Sequence, residues 1–84
     1  MYTRTEINIM REKIATAYCQ VIDEYESAGA VNAMIPVTEV FFKVGWRRYG
    51  LFAAALKEQE NEGIFHRVWA KSIVTGKPIK SYLV

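Results

Sequence analysis

The stretch IPVTEVFFKVGWRRYGLFAAALKEQENEG, residues 35–63, decides how the rest of the chain is read. Pro36 stands where a first helical turn tolerates a missing N–H, so a short helix is expected from about Val37 to Val44. Gly45 interrupts the pattern. A second helix then runs from about Arg47 to Asn61, because Phe52, Ala55, Leu56 and Gln59 recur on one face at helical spacing. Gly63 reads as its C-terminal stop, since glycine adopts the left-handed conformation that ends a helix.

Upstream, residues 3–27 predict a long amphipathic helix, with Ile7, Met10, Ile14, Tyr18, Val21, Ile22 and Tyr25 spaced by three and four. Thr3 followed by Glu6 fits a capping box, and Gly29 suits the far end. Cys19 flanks the stripe and reads as a small buried hydrophobe. Val31 to Ile35 reads as a short apolar connection.

Downstream, a two-residue period surrounds Thr75-Gly76-Lys77-Pro78, which reads as a hairpin. With Gly76 and Lys77 as the loop, Val74 faces Ile79, Ser72 faces Ser81 and Ala70 faces Leu83. One face then collects Val68, Ala70, Val74, Ile79 and Leu83 as a core surface. The other collects Arg67, Trp69, Lys71, Ile73, Lys80 and Tyr82 as a basic, aromatic outward surface.

Eighty-four residues make one domain, and an apolar share of 51% places it among folded chains. Its parts are the helix of residues 1–30, the helical pair of 35–63 and the hairpin of 64–84. A domain this short buries only about 60 to 65% of its unfolded surface, so its stability margin is thin and a homodimer is a candidate state. Cys19 is the single cysteine, which excludes an internal disulfide and fits a reducing cytoplasm. No stretch approaches the roughly 18 apolar residues of a membrane span, and the N-terminus has no secretory pattern, so the expectation is a cytoplasmic protein that does not enter membranes.

Charge divides along the chain. Residues 1–42 carry three basic side chains against six acidic ones, and residues 43–84 carry eight basic against three acidic, with no acid after Glu62. Such an asymmetry points to one surface that meets a polyanion.

Helix, short helix, tight turn, helix and hairpin, in that order, resemble the winged helix-turn-helix family over about the last fifty residues. Val40 and Phe41, then Gly45, then Phe52 and Leu56, then Glu60-Asn61-Glu62-Gly63-Ile64-Phe65 sit at the corresponding places. Gln59 departs from the pattern, which has leucine before the charged triplet. The resemblance implies an α+β fold of three helices followed by a β-hairpin wing. It implies duplex DNA as partner and a role in regulating transcription or another DNA transaction. Arg47, Arg48 and Tyr49 would begin the recognition helix, where an arginine fork can bond guanine or grip phosphate. Lys77 would ride the wing tip with Lys71 and Lys80 nearby, to neutralise phosphates.

Leu51, Ala53 and Ala54, further into that helix, offer bases no hydrogen-bonding groups. A second reading therefore stands beside the first: Trp46, Tyr49 and Leu51 present an aromatic and apolar anchor to a protein partner, as in an adaptor or inhibitor. Catalysis has the least support. His66 is the only histidine and has no second ligand in sequence reach, so no metal is expected. Glu58, Glu60 and Glu62, like Asp23, Glu24 and Glu26, read as solvated helix faces. No phosphate-binding glycine loop or serine elbow occurs, and no cofactor is expected.

Overall fold

The structure, a computed structural model, describes residues 1–31, 34–45 and 47–84, with the backbone but not the side chain of Ile79. Expectations for Trp46 and for the placement of the Ile79 side chain fall outside the described residues. Among the described residues the architecture is α+β, with three helices against one three-stranded antiparallel sheet. In chain order these are α1 (Arg4–Ser27), β1 (Ile35–Pro36), α2 (Val37–Val44), α3 (Tyr49–Asn61), β2 (Arg67–Lys71) and β3 (Pro78–Leu83).

Both ends of α1 follow the expected chemistry. The Thr3 hydroxyl accepts the Glu6 N–H at 3.1 Å, and the Glu6 carboxylate accepts the Thr3 N–H at 3.1 Å, which closes the capping box. At the other end Ala30 N–H bonds Tyr25 O, Gly29 N–H bonds Glu26 O, and Gly29 sits at φ 92°, which is a Schellman stop. The same motif ends α3, where Ile64 bonds Gln59 O and Gly63 bonds Glu60 O. Met10, Ile14, Ala17 and Val21 form the buried stripe of α1, and Ile7, Tyr18, Ile22 and Tyr25 pack beside it. Cys19 is exposed and not buried, because its position turns it off that stripe.

Helix α1 lies against both α2 and α3, and the sheet closes the core from one side. Ile14, Val21, Ile35, Val40, Phe52, Leu56 and Leu83 are fully enclosed there, so every element except β2 contributes a side chain to the centre. The sheet order is β1-β3-β2. Ile35, expected as the end of a connection, and Pro36, expected at a first helical turn, form a third strand, pairing with Leu83 and Tyr82.

The hairpin differs from expectation in register. Arg67 faces Leu83, Val68 faces Tyr82, Trp69 faces Ser81 and Ala70 faces Lys80, with a bulge between Ala70 and Lys71. The loop is 72–77 and not the two residues Gly76 and Lys77. A two-residue loop there would need the N–H of Pro78 to close on Thr75, and proline has none. Instead the Ser72 N–H donates to Lys77 O at 3.0 Å, and the Gly76 N–H donates to Ser72 O at 2.9 Å. The slip spans three rows, an odd number, so it turns β2 over relative to β3. Arg67 and Trp69 thereby face inward, toward α3, while Val68 and Ala70 share the outer face with Tyr82 and Lys80.

Candidate nucleic-acid interface

The turn between α2 and α3 is set by backbone conformation. Gly45 closes α2 at φ 116°, and its N–H bonds Phe42 O at 3.0 Å. Arg48 caps α3 in the left-handed conformation, at φ 54°, which a branched or bulky residue adopts at a cost. Helix α3 therefore starts at Tyr49, two residues later than the sequence suggests, and Arg47 and Arg48 belong to the turn.

The first expected contact set separates under this geometry. Arg48 Nη2 reaches Glu6 Oε2 at 2.6 Å, and its guanidinium stands 6.0 Å from the centre of the Tyr2 ring. It ties α3 to the start of α1. The Glu6 carboxyl falls from its ordinary 4.5 to about 2, chiefly through the Thr3 N–H and then through Arg48 and the Thr3 hydroxyl. Arg47 is exposed, and so is Tyr49, whose ring stands edge-on to Phe41 at 5.2 Å. Phe41 rests in turn on Phe52 at 4.9 Å, so Tyr49 is a half-anchored aromatic beside the turn.

The anchor read as Trp46, Tyr49 and Leu51 does not survive intact, since Leu51 is 3% exposed within the core. Leu51, Ala55 and Gln59 form one row at spacings of four, and that row turns toward α1. Gln59 is 3% exposed; its Nε2 donates to Arg11 O at 3.1 Å, while its Oε1 has no partner. Gln59 is therefore a core residue that spans to α1.

The acidic end of α3 is paired and is not a solvated face. Arg4 grips Glu58 with two bonds, of 2.5 and 3.0 Å. Arg11 bonds Glu58 and also reaches Glu62 at 2.8 Å. Arg67 Nε meets Glu60 at 2.5 Å. Arg4 foremost, and then Arg11, hold the Glu58 carboxyl below its usual range, and the carboxylates raise Arg4 and Arg11 in return. On α2, Lys43 pairs with Glu24 at 2.5 Å.

Removing these paired groups from the charge map leaves a sharper pattern than the sequence shows. In residues 43–84, among the described residues, Arg47, Lys57, Lys71, Lys77 and Lys80 have no carboxylate within salt-bridge distance, and all five are exposed. Every acid in that half is neutralised by an arginine. Between α3 and β2 the surface hollows into an open cleft of about 490 Å³, lined by Ala53, Lys57, Glu60, Phe65, His66, Arg67 and Trp69. Trp69 is 50% exposed and its ring lies 5.5 Å from the Arg67 guanidinium, while Lys80 stands over Tyr82 at 5.4 Å.

Sequence reasoning missed Lys57. Tyr49, Ala53 and Lys57 stand four apart, so their spacing already places them on one row beside the buried one. Trp69, expected on the outward face of the hairpin, is brought to the cleft by the slipped register. Among the described residues no group of three or more histidine, cysteine or acidic side chains could hold a metal ion, and His66 is exposed at the cleft mouth. No helix is long and apolar enough to cross a membrane. No protein-family model matches the chain, and neither curated proteins nor solved structures give a match.

Proposed function

We propose that the chain is a winged helix-turn-helix domain that binds duplex DNA and regulates a DNA transaction. The observation that carries this reading is the set of five exposed, unpaired cations on the α2–α3 turn, the outer row of α3 and the hairpin. The order α2, tight turn, α3, hairpin supports it, as does the basic, aromatic cleft between α3 and β2. Arg47, Lys57, Lys71, Lys77 and Lys80 contact phosphate in this reading, and Tyr49 and Trp69 supply flat surfaces beside them. Arg48 positions α3 through Glu6 and is not a base-reading residue. The outward side of α3 carries Gly50, Ala53 and Ala54, so affinity comes mainly from the backbone and sequence preference is slight.

Titration against random duplex DNA at several salt concentrations tests this. Five phosphate contacts give a log-log slope of about −4 to −5. A slope near zero, or no binding at low salt, rejects the reading. The second reading, a protein-binding module, keeps one favourable observation: Phe42 and Tyr49 are 62% and 61% exposed near the same turn. Binding to a protein with no salt-dependent DNA affinity would favour it.

A further inference from the structure

The hairpin loop 72–77 carries two side chains that the fold does not use. Ile73 is fully exposed and Val74 is 93% exposed. The other residues of this loop have local reasons to be there. The Ser72 hydroxyl accepts the N–H groups of Val74 at 3.2 Å and Thr75 at 3.3 Å, the Thr75 hydroxyl accepts the N–H of Lys77 at 3.3 Å, and Gly76 takes φ 69°. Turns are filled by serine, threonine and glycine for these reasons, whereas two adjacent β-branched apolar residues serve neither turn nor core. The bonds around Ser72 hold them out on a closed loop.

What surrounds them selects the occupant. Lys71 and Lys77 bracket the pair in sequence, Lys80 follows on β3, and the chain has no acid after Glu62. Elsewhere in this half, Lys57 on α3 and Arg47 before it are likewise exposed and, among the described residues, without a carboxylate partner. A lipid-seeking surface buries a broad band of large side chains such as tryptophan, phenylalanine and leucine. Here the apolar part is a point, two short aliphatic side chains on the end of a ribbon, with a lysine on either side of it in the chain to meet phosphate.

We propose that Ile73 and Val74 form a wedge that enters the minor groove of duplex DNA and parts a base-pair step, bending the duplex while Lys71, Lys77 and Lys80 hold the flanking phosphates. Short aliphatic side chains act in this way in minor-groove binders, where the bend runs to about 20 to 90°. The inference rests on the DNA reading and adds a deformation to it. Flexible TA and CA/TG steps would be the favoured sites, because they unstack at the least cost.

The test uses the full chain and a duplex well under the persistence length of about 150 base pairs. The duplex carries a fluorophore pair on its ends and 2-aminopurine at repeated TA steps. Wild type should draw the ends together and raise the 2-aminopurine signal. The double variant Ile73→Ser, Val74→Ser should bind with the same salt slope and produce neither change, and Ile73→Met should retain both. A wild-type complex with straight, fully stacked DNA overturns the wedge while leaving the DNA reading intact, as does a serine variant that bends DNA equally. If the serine variant loses binding altogether, the wild-type bend and 2-aminopurine signals decide alone. Absence of any duplex binding overturns both proposals. Serine-sensitive binding to phosphatidylserine vesicles without duplex bending assigns the tip to a lipid surface and rejects the wedge.

Discussion

On the flank of α3 that meets α1, Glu58 and Glu62 are held by Arg4 and Arg11, and Arg48 reaches back to Glu6. On the flank that meets the hairpin, Arg67 takes Glu60 and Lys57 is left without an acidic partner among the described residues, as are Lys71, Lys77 and Lys80 on the hairpin itself. One helix thus has a side where charge joins parts of the fold and a side where it faces outward. The lesson is that net charge is a poor guide to a binding surface. The same residue types do both jobs, and only the pairing distinguishes them.

Both flanks depend on α3 holding its place, and the largest effect is expected at the core residue that anchors it. Leu56 is fully enclosed. Replacing it with alanine should cost about 2 to 5 kcal/mol in a denaturant titration, from lost burial and the cavity left behind. A loss under about 0.5 kcal/mol would place Leu56 at a surface and undo both flanks.

Gln59 sharpens the α1 side. Its Oε1 is buried without a partner, so Gln59→Leu removes an unsatisfied group while filling similar volume, and Arg11 O keeps its bond within α1. The variant should gain about 1 kcal/mol, seen as a higher denaturant midpoint. A marked loss would mean that the Nε2 bond to Arg11 O is needed to hold α1 against α3.

The two flanks should also respond oppositely to removal of one cation. Arg11→Ala should lower the melting temperature, because Glu58 and Glu62 lose a shared partner, and leave the salt slope of DNA binding unchanged. Lys57→Ala should leave the melting temperature unchanged and make that slope shallower by about 1. If both variants lost stability and neither changed the slope, the outward flank would be no different from the inward one.

The smallest effect is a pH dependence at the start of α1. Glu6 titrates near 2 in the fold against an ordinary 4.5. A carboxyl lowered in this way contributes stability above its unfolded value and loses it as pH falls through the folded value. Wild type should therefore exceed Glu6→Gln at neutral pH, the difference should shrink from about pH 4.5 downward, and it should vanish below about pH 2. Melts of both proteins across that range would check it, and a difference constant with pH would remove Glu6 from the charged cap.

Much of the helical frame was legible in the sequence. Thr3 with Glu6, Gly29 and Gly63 marked helix ends by local hydrogen-bond chemistry, and Val37–Val44 was bounded by Pro36 and Gly45. The hairpin was legible as an element and not in register. Its register turned on the missing N–H of Pro78 and on Ser72, which satisfies loop N–H groups that a tight turn would leave to the strands. The two-residue β1 is too short to show a period. Partnering was least legible: Arg47 and Arg48 are neighbours of one type, yet only Arg48 finds a carboxylate, and that carboxylate lies forty-two residues away in sequence. Leu51 is readable as core from its spacing with Ala55 and Gln59, whereas a helix counted from Arg47 as a groove-entering start puts it among the outward positions.

The brevity of β1 has a consequence for solubility. Because it pairs only with Tyr82 and Leu83, the rest of β3, from Pro78 to Ser81, presents an open edge on that side among the described residues. An open edge invites a strand from another molecule, and such edges are commonly blunted by proline, lysine or a bulge. All three occur here: Pro78 lacks the N–H an incoming strand would need, Lys80 places a charge midway, and the bulge opposite Ala70 and Lys71 breaks the flat run. Lys80 thus guards against self-association whatever else it meets, and replacing it with an apolar residue would create a sticky edge before it altered any ligand contact.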